Sequence, residues 1–156
     1  MQIVVESNLD QAPIRELLAA SDAYMAALYP AESNHLLDLR ALERPNVTFI
    51  IAREQGSVLG CGALVQSDGW AEIKRMFVVP AARGRQLGRR LLQHLEALAL
   101  ERGVQRLRLE TGIRQPEALA LYRSHGFVEI EPFGDYRPDP LSLFMEKSIG
   151  GAAGAP

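Results

Sequence analysis

A strand, a basic glycine-bearing turn and an apolar-periodic helix follow one another without interruption between Ala71 and Arg102. The three pieces read AEIKRMFVVP, AARGRQLG and RRLLQHLEALALER. A strand that runs into such a turn and opens a helix builds an anion site. The first helical N–H groups have no intrahelical acceptor, and the helix dipole favours negative charge there. Arg83, Arg85, Arg89 and Arg90 crowd the same turn. The stretch reads as a diphosphate cradle, and the rest of the chain must be arranged around it.

The 156 residues suit one domain, expected over residues 1–149, with a small-residue tail, GGAAGAP, at 150–156. At 47% hydrophobic, the chain can bury a sizeable core without staples. A net charge of -2 argues against a nucleic-acid footprint, which needs a basic face. The cluster at 83–90 is therefore local. Cys61 is the single cysteine, so an internal disulfide is excluded and a reducing cytoplasm is the default location. No apolar run approaches about 18 residues, so no membrane span is expected. The N-terminus lacks a basic segment followed by a long apolar core, so it does not read as a signal peptide.

In chain order, residues 2–6 read as a strand. A helix starts near Pro13, capped by Asn8 or Asp10, and Pro30 ends it. A second helix is expected over 35–42, where Leu36, Leu37, Leu39 and Leu42 cluster. Residues 47–53 and 58–66 form a hairpin around EQGS, and 72–79 extends it into a meander. The helix after Gly88 carries Leu91, Leu92, Leu95, Leu98 and Ala99 on one side and stops at Gly103. A strand at 106–111, a helix from Pro116 to Gly126 and strands at 127–130 and 141–148 complete the order. The class is α/β or α+β, antiparallel in its first half.

Three segments at this spacing resemble the Gcn5-related N-acetyltransferase (GNAT) superfamily. RGRQLG at 83–88 looks like its [Q/R]-x-x-G-x-[G/A] signature. MFVVP at 76–80 looks like the strand end before it, and ALALYRSHGF at 118–127 like the family's second helical motif. The resemblance covers residues 2–149. LETGIRQPEALALY together with FGDYRPDPLS looks like a bacterial subgroup of these enzymes. It implies a mixed, mostly antiparallel sheet of about seven strands with about four helices, splayed between the fourth and fifth strands. It further implies acetyl-CoA as cofactor, a primary amine of a small molecule or protein as acceptor, and direct transfer in a ternary complex. A homodimer through the C-terminal strands is the arrangement its relatives suggest. Two positions depart from the pattern. Gln86 stands for the first signature glycine, which is tolerable if its φ stays negative. Gln115 stands where relatives often carry asparagine.

Carried onto this chain, the resemblance assigns cofactor contacts to Phe77, Val78, Val79, Arg83, Gly84, Arg85, Gln86, Leu87, Gly88, Arg89 and Gln115. The strand residues would offer backbone groups to the pantetheine arm, satisfying an edge that is costly when unpaired. Tyr122 would be the general acid, since a phenol of pKa about 10 suits a thiolate of similar basicity. Glu72, eleven residues before Arg83, matches the base of histone-acetylating members. Strand alternation puts Glu72, Lys74 and Met76 on one face and Ile73, Arg75 and Phe77 on the other. A solvated strand start or an ion pair with Lys74 or Arg75 is the alternative for Glu72. Glu110 is the second candidate base, and a water chain the third.

Specificity falls to Tyr24, Tyr29, Glu32 and His35 near the first helices and to Phe133, Asp135, Tyr136, Arg137 and Asp139 in the late loop. Acidic and aromatic loop residues suit a small amine, whereas Arg137 suits a substrate carboxylate. His94 reads as exposed and His125 as a cation at a helix end. No Cys/His spacing suggests a metal. Cys61 reads as a buried strand residue. A non-catalytic acyl-CoA sensor of the same fold is the competing reading. A Rossmann domain is disfavoured, because RGRQLG lacks G-x-G-x-x-G and hairpins precede it.

Overall fold

A computed structural model describes residues 1–33 and 38–150. Seven strands form one sheet: β1 (Gln2–Val5), β2 (Val47–Glu54), β3 (Ser57–Gln66), β4 (Trp70–Val78), β5 (Arg106–Gly112), β6 (Val128–Ile130) and β7 (Ser142–Ser148). Their order across the sheet is β1-β2-β3-β4-β5-β7-β6. Every pair is antiparallel except β4 with β5. The helices are α1 (Ala12–Leu28), α2 (Leu39–Leu42), α3 (Leu87–Glu101) and α4 (Pro116–Ser124). The expected order of elements is the observed one, with two short 3-10 turns added at Ala31–Ser33 and Pro80–Ala82. No described helix is long and apolar enough to cross a membrane.

Both faces of the sheet are covered, so β2 reads as a continuous apolar run rather than an alternation. Ile50 and Ala52 face the core under α3, with Leu64, Ile73, Leu91, Leu92, Leu95, Leu107 and Leu109. Phe49 and Ile51 face the core under α1, with Ile14, Leu17, Leu18, Cys61, Ala63 and Phe77. The β2–β3 hairpin closes on Gln55 and Gly56, at φ of 49° and 81°. Positive φ at both positions matches the right-handed twist of the flanking strands.

The cap of α1 differs from expectation. Gln11 occupies the cap position, and its side chain makes no cap hydrogen bond. Asn8 is already used, because its Oδ1 accepts the Asp10 N–H at 3.3 Å. Asp10 pairs instead with Arg15. Asp38 caps α2 through the Ala41 N–H at 2.8 Å. Helix α2 therefore starts later than the expected residue 35. His35, Leu36, Leu37 and the tail at 151–156 lie outside the described residues.

Two irregularities in β4 shape the site. The parallel pairing with β5 runs only from Trp70↔Arg106 to Ile73↔Leu109, after which the strands part. Beside the parting, the register against β3 slips between Cys61 and Ala63, and Arg75 adopts φ of 58°. A bulge of this kind inserts one residue and re-aims the side chains beyond it. The strict alternation expected for β4 is therefore broken. Ile73 and Met76 pack on the α3 core. Arg75 reaches Asp22 and the Leu18 carbonyl on α1, and Phe77 joins the α1 core. Arg75 and Phe77 thus share the face of Glu72 and Lys74.

Candidate active site

The splay opens a cleft of about 720 Å³ that runs from the start of α3, between β4 and β5, to α1. At its α3 end the wall is Arg83, Gly84, Gln86, Leu87, Gly88 and Arg89. Gly84 has φ of 86°, and a Cβ there would meet nothing within 4 Å, so ligand can approach the backbone. The first helical bond of the turn is from the Arg90 N–H to the Gln86 carbonyl at 3.2 Å. The N–H groups of Leu87, Gly88 and Arg89 precede it and lack intrahelical acceptors. Gln86 sits at φ of 58°, in the left-handed region, so the expectation of a negative φ fails. A residue with a Cβ bears the local strain.

Arg83 donates through Nε to the Val78 carbonyl at 3.3 Å, and its guanidinium lies 5.3 Å from the Tyr24 ring centre. Arg85 turns away. It forks onto Glu54 of β2 at 2.8 and 3.3 Å and does not line the cleft. That hydrogen-bonded guanidinium holds Glu54 below the usual carboxylate range. Gly88 brings α3 against α4, since a Cβ there would sit 3.4 Å from Leu121.

Phe77 and Val78 line the cleft, and Val79 does not. Val79 donates its N–H to the Leu59 carbonyl at 2.9 Å, and Phe77 pairs with Cys61. Alternation along an antiparallel edge then directs the Val78 N–H and C=O away from β3 and into the splay. The carbonyl's contact with Arg83 agrees.

Tyr122 of α4 is 7% exposed and borders the cleft where α3, α4 and β5 meet. Burial, and then the charge of Glu110, push its phenol above the ordinary value, so it holds its proton. Gln115 also lines the cleft, and its Oε1 accepts the Tyr29 hydroxyl at 3.1 Å. The same Tyr29 oxygen accepts the Arg114 N–H at 3.1 Å. Tyr29 lies so close to Gly112 that a Cβ there would fall 1.8 Å from its oxygen.

The two candidate bases are placed differently. Glu110 lines the cleft and accepts the Ser142 hydroxyl at 2.8 Å. Glu72 does not line it. Its Oε2 accepts the Tyr136 hydroxyl at 2.5 Å and lies 3.4 Å from Lys74 Nζ, so the ion-pair alternative describes it. Lys74 lines the cleft and also donates to the Tyr136 oxygen at 2.6 Å. Sequence reasoning named Tyr136 only as a loop residue. Nothing local ties it to Glu72, 64 positions away.

Of the other specificity candidates, Tyr24 and Tyr29 line the cleft and Glu32 does not. Phe133 is buried in an aromatic cluster with Trp70, Tyr136 and Phe144. Asp139 accepts the Ser33 hydroxyl at 2.8 Å. Asp135 and Arg137 are exposed and off the cleft. Cys61 is fully buried. Burial pushes its thiol up to about 12, which makes it inert. His94 is half-buried rather than exposed. His125 does end α4, but not as a cation, because burial and then Arg89 and Lys147 lower its pKa.

A splayed sheet with a helix start at its mouth leaves room for a ligand with an anionic end, and the comparisons give the family. Residues 13–127 match the Acetyltransferase (GNAT) family. An IAA acetyltransferase from Azospirillum brasilense is 52% identical over 149 residues, covering 94% of this chain and 97% of that one. The uncharacterized N-acetyltransferase YedL of Escherichia coli K12 is 34% identical, with 96% of each chain covered. A Klebsiella pneumoniae crystal structure, provisionally named an acyl-CoA N-acyltransferase, superposes with a TM-score of 0.79 at 40% identity, covering 95% and 97%. The Thermoplasma acidophilum PaiA N-acetyltransferase, solved with coenzyme A, shares the fold at a TM-score of 0.71 and 18% identity, covering 95% and 99%. This chain belongs to the GNAT acetyltransferase family.

Proposed function

We propose that this acetyltransferase uses acetyl-CoA and moves the acetyl group directly to a primary amine of a small molecule, both bound in the one cleft. The observation that carries this is the continuity of the splay. It joins a helix start suited to an anion, a Val78 backbone turned into the splay, a protonated phenol and a carboxylate. Acetyl-CoA, when bound, supplies an activated thioester. The residues present fit it. Arg83, Arg89 and the first-turn N–H groups of α3 would hold a diphosphate, and the open space at Gly84 admits it. Val78 would pair with the amide-bearing arm.

The chemistry takes two protons from the ammonium nitrogen and returns one to the sulfur. Glu110 would take the first, directly or through water, and leave an amine able to accept the acetyl group as the thiolate departs. Tyr122 would give its proton to the departing sulfur, and the second nitrogen proton, shed as the amide forms, would restore the phenol through water. Glu110 is preferred to Glu72 because it lines the cleft and Glu72 does not.

The test is thiol release from acetyl-CoA with a panel of small primary amines, with IAA added because of the Azospirillum relative's name. Wild type should turn over at least one amine, and Glu110→Gln and Tyr122→Phe should each lower kcat. Tight acetyl-CoA binding without turnover of any acceptor would support the sensor reading instead.

A further inference from the structure

The acceptor half of the cleft carries two opposite charges at one landmark. Pairing of β4 with β5 ends at Ile73↔Leu109, and the next residues are Lys74 and Glu110. Ile73 and Leu109 turn into the α3 core, so Lys74 and Glu110 fall on the α1 face, and both line the cleft. Arg75 also borders this half, but its side chain is 2% exposed and bound to Asp22 at 2.6 Å, a closer contact than the 3.4 Å between Lys74 and Glu72.

Lys74 is not left to find solvent. Its side chain is 11% exposed, and its ammonium donates to the Tyr136 oxygen at 2.6 Å and to Glu72 at 3.4 Å. Tyr136 is itself wedged by Phe133 and Phe144, with ring centres 5.2 and 5.3 Å away. An ammonium has three donors, and these partners use two. That leaves one donor, on a residue that lines the cleft. The loop thus fixes a cation on a cleft that Glu110 also lines.

On the acetyl-transfer reading above, we propose that the acceptor is an amino-acid-like zwitterion, its ammonium held at Glu110 and its carboxylate at Lys74, with Tyr136 as the positioning residue for Lys74. Neighbouring strands lie about 4.7–4.9 Å apart where paired and farther once splayed. That scale suits the separation of an amino group and a carboxylate on one small molecule. A plain amine would cover Lys74 with carbon and leave its third donor without a partner, which is costly. Arg137, the carboxylate reader suggested by sequence, is exposed and off the cleft.

The test uses the full chain and matched probes: the standard L-amino acids, their carboxamides, and the amines formed by removing the carboxylate. Thiol release measures turnover, and calorimetry on the CoA-loaded protein measures binding. At least one amino acid should exceed both of its analogues by tenfold or more in kcat/KM. Lys74→Gln should erase that preference, chiefly through KM, and Lys74→Arg should restore part of it. Tyr136→Phe should raise KM for the amino acid threefold or more with a smaller change in kcat. Unchanged CoA affinity and a cooperative thermal transition above the assay temperature show that each variant is folded, although Tyr136→Phe melts earlier. An amine or carboxamide used as well as its amino acid overturns the proposal and leaves acetyl transfer standing, as does a preference that survives Lys74→Gln. If no probe is turned over, tighter binding of an amino acid than of its analogues still supports zwitterion recognition while acetyl transfer to amines fails. Binding of no amino acid overturns it.

Discussion

Tyr136 donates its hydroxyl to Glu72 Oε2 at 2.5 Å, joining the loop between β6 and β7 to the first half of β4. Burial comes first, and then the charge of Glu72, in pushing the phenol well above its ordinary range. The phenol therefore keeps its proton and stays the donor in this bond well above its ordinary range. It also fills the place beside Glu72 that a catalytic water would need. Tyr136→Phe should cost about 1.5–3 kcal/mol, the worth of a hydrogen bond to a charged group. Urea unfolding checks this, and an unchanged midpoint would mean that Lys74 and Glu72 close on each other at no cost.

Tyr122→Phe should keep the fold and lower kcat about a hundredfold. Its raised pKa adds a signature. The acid form survives above the ordinary phenol value of 10.0, so any alkaline fall in kcat below that pH must come from another group. A kcat left unchanged by Tyr122→Phe would remove Tyr122 from the role.

Gln86→Gly should be neutral or stabilising by up to about 1.5 kcal/mol. Relief of a left-handed residue is worth about 1–2 kcal/mol, against about 0.5–1 kcal/mol for the entropy that glycine loses. Gln86→Val should destabilise, because a β-branched side chain fits that region worst. Thermal melts of the pair report the sign.

Gly112→Ala should destabilise by about 1–3 kcal/mol, because the added methyl overlaps the Tyr29 phenol. Gln115 and Arg114 both bond to that oxygen, so the end of α1 and the β5–α4 corner should loosen together. Faster amide exchange at both places is the expected readout. Exchange confined to residue 112 would contradict it.

His125 links stability to mild acid. Its pKa in the folded protein is depressed from 6.5 by burial, then by Arg89 and Lys147, and its Nε2 is buried without a hydrogen-bond partner. The unfolded chain therefore takes up the proton first. Stability is full above 6.5 and falls as the pH drops below it. His125→Asn should flatten that fall when melting temperatures at pH 7.5 and 5.5 are compared.

Much of the fold was legible because its signals are local. The apolar stripe of α3, the EQGS hairpin and the basic turn at 83–88 each need only neighbours in sequence, and each stands where expected. The anion end of the cleft was readable for the same reason. Local chemistry misled where a competing partner was near. Asn8 bonds Asp10 instead of capping α1, and Arg85 takes Glu54 instead of facing the cleft. Gln86 shows the limit of reading a signature by residue type, since its backbone takes a positive φ without being glycine.

The sequence by itself determined the order of elements, the helix start that can hold an anion and the tyrosine on α4, all through periodicity, turn chemistry and short-range spacing. Tertiary structure alone decided which carboxylate meets the cleft. A bulge at Arg75, stabilised by Asp22 and Leu18 from α1, reverses the alternation of β4, and Tyr136 from a distant loop closes over Glu72. Those are long-range contacts. No local pattern encodes them, because their free energy exists only once separate elements have packed.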